Sequence, residues 1–259
     1  MRGLDADAAE AVGVRAAVIR AKPLLRAFYE DAYQFFAASL ADAPEGIVLE
    51  LGSGPGFIKE ILPRVVTSDI MDLPGVDKRV SAMHLPFAND SLAAVLLLNT
   101  FHHIPDAAAF LAEAARVLKP GGKVAMIEPA NTAWGGFVYR HFRHEDFDTR
   151  QSDWRFPQGG PMSTANGAQA WNVFVRDAAL FRKRFPGLAI AAIGYRNPLL
   201  YLLSGGTSMR PLAPGWSLPI IRGLERLLTP LSPWLGMYMS VVLRKVGKRT
   251  SNIEHRTSK

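Results

Sequence analysis

A run of apolar residues that ends in three alternating glycines constrains the fold of this chain more than any other feature. Residues 47–51 read Ile-Val-Leu-Glu-Leu, and Gly52, Gly54 and Gly56 follow. An unbroken apolar run is typical of a strand buried on both faces of a parallel sheet. Glycine lets the backbone turn tightly and approach a ligand that a Cβ atom would push away. We expect a short helix over residues 57–62 to point its free N–H groups at that ligand.

The acidic residue inside this strand narrows the choice of ligand. A buried carboxylate such as that of Glu50 is costly unless it meets a cation or hydrogen-bond donors. A ligand with an ammonium group would supply that partner, whereas a pyrophosphate would repel it. Phe57 also stands where the dinucleotide-binding fingerprint has its third glycine. Both observations disfavour a dinucleotide.

A second strand is predicted over residues 65–70, with Asp69 at its carboxyl end. In a strand–helix–strand unit this position lies beside the glycine turn, where a carboxylate can accept both hydroxyls of a ribose. A third apolar run, residues 94–98, ends in Asn99-Thr100-Phe101-His102-His103. Ligands of open α/β sheets bind beyond the carboxyl ends of the strands. We therefore expect these side chains at the same site.

These motifs closely resemble those of the class I S-adenosylmethionine-dependent methyltransferases. The glycine stretch resembles their motif I, residues 116–122 (Arg-Val-Leu-Lys-Pro-Gly-Gly) and the strand after them resemble a later motif, and the likeness spans about residues 45–130. The broad subgroup of quinone- and sterol-biosynthesis methyltransferases is the most similar. Ser81 stands where the family usually has the aspartate that contacts adenine.

The resemblance implies S-adenosylmethionine as cofactor and a Rossmann-like, doubly wound α/β fold. We expect a seven-stranded, mostly parallel sheet with an antiparallel last strand, an N-terminal helical cap and a substrate-side insert. The expected domains are the helical cap (1–42), divided near Pro23, the methyltransferase domain (43–247) with an insert at 131–235 forming the substrate cap, and a disordered basic tail (248–259). The residues expected to bind the cofactor are Glu50, Gly52, Ser53, Gly54, Gly56, Asp69, Ile70, Ser81, Ala82, Met83 and Asn99.

Several side chains are candidates for a general base, which methyl transfer to a hydroxyl requires. They are His102, His103, His141, His144 and Glu145. The spacing of acidic and histidine residues along the chain suggests no metal site, so we expect a metal-independent enzyme. The Asn-Pro-Pro-Tyr type of motif found in many nucleic-acid amino-methyltransferases is absent, since Asn99-Thr100-Phe101-His102 stands in its place. That favours an oxygen acceptor over a nucleic acid.

Charge is distributed unevenly along the chain, and this bears on the acceptor. Residues 1–130 hold 12 Lys and Arg against 16 Asp and Glu, whereas residues 131–259 hold 18 against 7, so their net charges are −4 and +11. An apolar stretch, residues 198–235, lies in the basic half. Together they suggest a lipid-linked or otherwise anionic acceptor, and peripheral contact with a membrane. The candidate anion-binding residues are Arg140, Arg143, Arg210, Arg222 and Arg226.

The sequence leaves several functions open. The first is O-methylation of a small-molecule, glycan or lipid-linked acceptor, and the second is C- or N-methylation of a soluble secondary metabolite or a quinone-type ring. From other classes, an NAD(P)-dependent Rossmann oxidoreductase and a peripheral membrane-binding protein remain. The absence of cysteine excludes disulfides and thiolate metal sites. We expect a cytoplasmic protein, with the inner face of the membrane as a further candidate location, and the oligomeric state stays open.

Overall fold

A seven-stranded sheet forms the centre of the protein. The computed structural model describes residues 7–142, 145–157 and 159–247. The strands are β1 (Ile47–Leu51), β2 (Val66–Asp69), β3 (Lys78–Arg79), β4 (Leu92–Leu98), β5 (Leu118–Pro129), β6 (Leu188–Arg196) and β7 (Tyr238–Lys245). Their order is β3-β2-β1-β4-β5-β7-β6. Strands β1 to β5 are parallel, and β7 runs antiparallel between β5 and β6. The expected Rossmann-like sheet with an antiparallel last strand is confirmed.

Nine α-helical segments flank this sheet in the described residues. They are α1 (Ala9–Ala21), α2 (Pro23–Ser39), α3 (Ala107–Val117), α4 (Ala133–Phe142), α5 (Gln169–Trp171), α6 (Ala178–Arg184), α7 (Leu200–Ser204), α8 (Leu218–Leu227) and α9 (Ser232–Leu235). Pro23 begins α2, because proline is tolerated in the first turn, where its missing N–H has no partner. Asp106 caps α3 by accepting a hydrogen bond from the Ala109 amide.

The two faces of the sheet bury two apolar clusters, because successive residues of a strand point to opposite faces. Val95 and Leu97 of β4 pack in one cluster with residues of α3 and α6. Leu96 of β4 packs in the other cluster with Phe28 and Phe36 of α2. Full burial of each such side chain contributes about 1.5–3 kcal/mol. Helices α1 and α2 therefore form one of the two layers that cover the sheet.

The connection from β1 to β2 contains one 3-10 turn, Ile58–Glu60, and not the expected helix over residues 57–62. The residue before this turn, Phe57, has a non-helical backbone, with φ −139° and ψ 34°. Pro63 limits the segment at its other end, since the residue before a proline avoids the helical region. The space between these limits is too short for more than one turn. The helical stretch is therefore shorter than expected, and it is a single 3-10 turn.

The segment 131–235, expected to be the substrate cap, is interrupted by a strand of the sheet, β6. After β6, α7 packs on α2, and α9 packs on α4 and β6. The helical stretch after residue 168 is divided, because a π-helical turn, Asn172–Arg176, separates α5 from α6. The expected disordered tail, 248–259, lies outside the described residues. Within those residues, no helix combines the length and apolarity that crossing a membrane would require.

Candidate active site

The three glycines after β1 have different physical roles. A Cβ atom on Gly52 would collide with Thr100 at the end of β4, and one on Gly56 would collide with the Tyr33 hydroxyl of α2. These two glycines therefore allow close packing. Gly54 has a left-handed φ of +42°, and no atom lies closer than 3.8 Å to the place of its Cβ. The open side of Gly54 is the part of the turn that a ligand can approach.

Glu50 is buried beside this turn, with 2% of its surface exposed. Its Oε2 atom has no hydrogen-bond partner among the described residues. Burial raises the pKa of Glu50 to about 7, helped by the charge of Asp69 and opposed by a hydrogen bond from Ser53. A cavity of about 290 Å³ borders Glu50, Ser53 and Gly54. A cationic ligand group would satisfy the orphaned oxygen, so these residues fit the ammonium group of S-adenosylmethionine.

Asp69 joins the end of β2 to the glycine turn. Its Oδ2 accepts a hydrogen bond from the Gly54 amide at 3.0 Å, and its Oδ1 accepts one from the Met71 amide at 2.9 Å. Burial raises the pKa of this carboxyl above its ordinary value, against the lowering effect of these hydrogen bonds. Each carboxylate oxygen has a second lone pair. Asp69 can therefore stabilise the glycine turn and still accept hydrogen bonds from the hydroxyl groups of a ligand.

The residues expected near adenine lie next to Asp69. The Val80 amide donates to the Asp69 carbonyl at 2.8 Å, which fixes the chain beside the end of β2. The following residues form a tight turn in which the His84 amide donates to the Ser81 carbonyl at 3.0 Å. Ala82 and Met83 are half-buried against the core, and Ile70 is exposed. The side chain of His84 is exposed.

A buried carboxylate at the end of β5, Glu128, organises the residues after β4. Its Oε1 accepts hydrogen bonds from the amides of Thr100 and Phe101, at 2.9 and 2.7 Å. Its Oε2 lies 2.5 Å from Nδ1 of His102. Asn99, which precedes this turn, has a left-handed φ of +52°. Glu128 thus folds the 3-10 turn that presents His102 and His103.

Three of the five candidate bases meet at this turn. Nε2 of His102 lies 3.6 Å from Oε2 of Glu145, and the rings of His102 and His103 are 4.3 Å apart. Nδ1 of His103 donates to the Thr164 carbonyl at 3.1 Å, because a carbonyl can only accept. Nε2 of a neutral His103 is then left with its lone pair, and the three side chains form one cluster, the His-Glu cluster (His102, His103, Glu145).

The two histidines have opposite electrostatic environments. Burial alone would lower the pKa of His102, but the charge and hydrogen bond of Glu128, with a contribution from Glu145, raise it well above its ordinary value. Burial and the neighbouring charge of His102 lower the pKa of His103 to about 4. At neutral pH, His103 is therefore the uncharged member of the pair.

The remaining candidates are placed elsewhere. His141 is exposed on α4, and its Nδ1 donates to the Phe137 carbonyl at 2.8 Å, so it does not join the His-Glu cluster. His144 and Arg143 lie outside the described residues. Arg222 forms an ion pair with Asp31 at 2.8 Å. The other arginines expected to bind an anion behave differently: Arg140 donates to Asn131, and both Arg210 and Arg226 are exposed.

The central part of the chain matches a known family. Residues 49–126 match the family model described as a methyltransferase domain. The strand order and the single antiparallel strand agree with that assignment. The chain carries a class I S-adenosylmethionine-dependent methyltransferase domain. The cofactor of that class is S-adenosylmethionine, and the alternative of a dinucleotide-dependent oxidoreductase is set aside.

The names of the curated relatives of this methyltransferase domain indicate different acceptors. A ubiquinone/menaquinone biosynthesis C-methyltransferase of Desulfotalea psychrophila is 31% identical over 132 residues, which are 43% of this chain and 54% of that protein. The 27-O-demethylrifamycin SV methyltransferase of Amycolatopsis mediterranei is 31% identical over 90 residues, 35% of this chain and 33% of that protein. The chain thus spans at most about half the length of these relatives.

Among solved structures, a methyltransferase of Thermotoga maritima is similar to this methyltransferase domain, with a TM-score of 0.49 and 14% identity. The match covers 90% of this chain and all of the other. A sarcosine dimethylglycine methyltransferase of Galdieria sulphuraria has a TM-score of 0.48 and 17% identity, with 86% of each chain covered.

Sequence reasoning missed two residues of the site. Glu128 reads as the end of an apolar strand, and its role depends on the pairing of β4 with β5, which places its carboxylate under the His102 turn. An acid at the end of a buried strand was the available signal. Tyr33 accepts a hydrogen bond from the Phe57 amide at 3.1 Å and so joins α2 to the glycine turn. No pattern in the sequence identifies this contact.

Proposed function

We propose that this chain transfers a methyl group from S-adenosylmethionine to a hydroxyl oxygen of a small-molecule, glycan or lipid-linked acceptor. One observation carries the proposal: the orphaned carboxylate oxygen of Glu50 lies in β1, and the histidines of the His-Glu cluster follow β4, the strand that pairs with β1. The first suits the cationic end of the cofactor. The second offers a proton acceptor where an acceptor molecule would meet the cofactor.

In this proposal each cofactor-binding residue contacts a different part of S-adenosylmethionine. Glu50 accepts hydrogen bonds from the ammonium group, and Asp69 accepts them from the ribose hydroxyls. Gly54 leaves space for the ligand. The adenine ring lies near Ile70, Ser81, Ala82 and Met83, and Ser53 and Asn99 complete the lining. When bound, S-adenosylmethionine would supply an electrophilic methyl group on its sulfonium, and a base of the His-Glu cluster would take the proton of the acceptor hydroxyl.

His103 is the base that the geometry favours. Its Nδ1 is committed to the Thr164 carbonyl, so its Nε2 carries the lone pair that can take the hydroxyl proton. His102 is held by Glu128 on one side and faces Glu145 on the other, which suits a positioning role. Holding the acceptor in line contributes most of the rate. General-base catalysis contributes about 10²–10⁴ more, so His103→Ala should lower kcat by at least about a hundredfold with cofactor affinity unchanged.

Calorimetric titration with S-adenosylmethionine tests the cofactor site. We expect binding by the native chain and its loss in Gly54→Val, whose side chain fills the approach to the turn. Gly121→Val is the matched control, because Gly121 also has a left-handed φ, +80°, in an open position at the far end of β5. It should suffer the same backbone strain and still bind. Equal affinity in the two variants would contradict the assignment.

C-methylation of a quinone-type ring is the second candidate, since the Desulfotalea psychrophila relative is a C-methyltransferase of ubiquinone and menaquinone biosynthesis. The product separates the two reactions. With isotope-labelled S-adenosylmethionine, the carbon NMR shift of the transferred methyl group distinguishes a methoxy group from a methyl group on a ring. A methyl group on carbon would overturn O-methylation and leave the cofactor assignment intact.

We also propose that the acceptor side of the protein rests on a lipid surface. Large apolar side chains of and around α8 are exposed at helical spacing and form an apolar stripe: Trp216, Ile220, Leu224, Leu227 and Leu231. Trp216 is 75% exposed and Leu227 74%, whereas Ile221, which lies outside the stripe, is buried. A helix with this pattern inserts its apolar face between lipid headgroups, and the positive charge of residues 131–259 adds attraction to anionic lipids.

Co-sedimentation with vesicles of phosphatidylcholine, with and without phosphatidylglycerol, tests the lipid contact. Leu227→Asp should weaken binding at least about tenfold, since burying a leucine is worth about 1.5–3 kcal/mol. Leu180→Asp, an exposed leucine on α6, is the control. Full activity on a soluble acceptor without any vesicle binding at low salt would eliminate the lipid contact.

A further inference from the structure

We propose that the His-Glu cluster binds one divalent transition-metal ion. His102 and His103 each offer a ring nitrogen and Glu145 offers a carboxylate oxygen, and these three atoms all lie within 4.8 Å of one another. Two of the groups come from the turn after β4, and the third comes from the segment after α4. The expectation of a metal-independent enzyme rested on spacing along the chain, which does not reveal a ligand set assembled from separate segments.

The distance between two of the ligand atoms suits a shared ion. Nε2 of His102 and Oε2 of Glu145 are 3.6 Å apart, which is too long for a hydrogen bond. Two ligands about 2.1 Å from a tetrahedral ion lie roughly 3.4 Å from each other. The pair therefore has the separation that an ion between them would impose. Glu145 is 42% exposed, so its carboxylate has room to adjust.

The partners of the two rings prepare both histidines for coordination. Nδ1 of His102 faces Oε2 of the buried Glu128 at 2.5 Å, and Nδ1 of His103 donates to the Thr164 carbonyl. A metal-binding histidine commonly donates its other N–H to a carboxylate or a backbone carbonyl, which fixes the tautomer. Both kinds of partner are present here. In His103 the proton on Nδ1 leaves the Nε2 lone pair for the ion, and in His102 the ion displaces the proton from Nε2.

The ligand types define the class of metal. Two imidazoles and one carboxylate suit zinc and the other first-row transition ions, whereas magnesium and calcium prefer oxygen ligands. Three protein ligands also leave a position for a water or an acceptor oxygen, as in catalytic zinc sites. A hydroxyl on a bound ion loses its proton more readily, and this would replace the base role of His103, because coordination occupies the Nε2 lone pair of that ring. That role rests on the proposed function, but metal binding itself does not.

Titration of the untagged, chelator-treated chain with Zn²⁺ in a calorimeter, and with Co²⁺ followed by its visible absorption, tests the site without cofactor or acceptor. We expect one equivalent of metal per chain, absorption typical of four- or five-coordinate Co²⁺, and no response to Mg²⁺. Glu145→Ala and His103→Ala should each weaken binding at least tenfold. Glu128→Gln should weaken it about 10–100-fold through His102.

Two controls accompany the metal titration. His141→Ala removes an exposed histidine outside the cluster and should leave metal affinity unchanged. Thermal melting of each variant without metal shows whether the chain is folded, and Glu145→Ala removes a half-exposed side chain, so its fold should survive. Absence of the one-equivalent transition, or equal affinity in Glu145→Ala and the native chain, would overturn the metal site. S-adenosylmethionine binding is measured separately, so it tests the proposed function independently of the metal site.

Discussion

Glu50→Gln should make the protein more stable and at the same time weaken cofactor binding. Burial raises the pKa of Glu50 from 4.5 to about 7, so the folded protein binds this proton more tightly than the unfolded chain. The favourable contribution is complete below pH 4.5 and is lost as the pH rises to 7. A shift of this size corresponds to about 3 kcal/mol. Glutamine is a neutral isostere and does not titrate.

The assay is chemical unfolding, followed by circular dichroism, of both chains without cofactor between pH 4.5 and pH 8. The stability advantage of Glu50→Gln should grow from near zero at the acidic end to about 3 kcal/mol at pH 8. Glu45→Gln, at an exposed position just before β1, is the control and should change stability by less than about 0.5 kcal/mol. The reasoning fails if the difference is independent of pH or if the native chain is the more stable at pH 8.

Calorimetry completes this prediction. Loss of the charged hydrogen bond to an ammonium group costs about 1.5–3 kcal/mol, so affinity for S-adenosylmethionine should fall roughly 10–150-fold at pH 8. A carboxylate kept only for structure would give the opposite pattern, with lower stability and unchanged binding. The combination therefore separates a ligand-binding carboxylate from a structural one.

Three further substitutions have defined outcomes. Tyr33→Phe leaves the buried Phe57 amide without its acceptor and should lower the free energy of unfolding by about 1–3 kcal/mol, measured by denaturant titration. Asp69→Asn puts an N–H₂ group where the Gly54 amide or a ribose hydroxyl needs an acceptor, so calorimetry should show at least about tenfold weaker cofactor binding. Arg222→Ala removes a half-exposed ion pair and should change the unfolding free energy by less than about 1 kcal/mol.

The sequence predicts the strands of this fold better than its connections. Strand β4 is apolar throughout, and β1 is apolar except for Glu50, because helices cover both faces of the sheet, and that pattern is visible without a structure. Strand β3 has two exposed residues and no pattern to detect. The connection after the glycine turn was predicted as a helix because most proteins with such a turn have one. The connection has only six residues between Gly56 and Pro63. The sequence does not show how far these residues must reach to join β2, so it does not show that a longer helix is excluded.

The residues of the candidate site likewise differ in how well the sequence predicts them. Glu50, Gly54 and Asp69 could be placed because they are close along the chain to the ends of strands. The His-Glu cluster could be predicted only as a set of candidates, because the approach of Glu145 to His102 depends on the path of the chain after α4. Spacing along the chain does not distinguish His141 from His103 as a candidate general base. The fold separates them by pointing His141 into solvent.

The position of β7 has a consequence for the order in which the chain can be assembled during synthesis. This strand comes from the carboxyl end of the described chain but lies between β5 and β6, and it provides the hydrogen bonds for both. While the ribosome still holds residues 238–245, β5 has one open edge and β6 has no strand to join. Exposed strand edges are templates for aggregation. A nascent chain, or a product truncated before β7, must therefore be protected until its last strand is inserted.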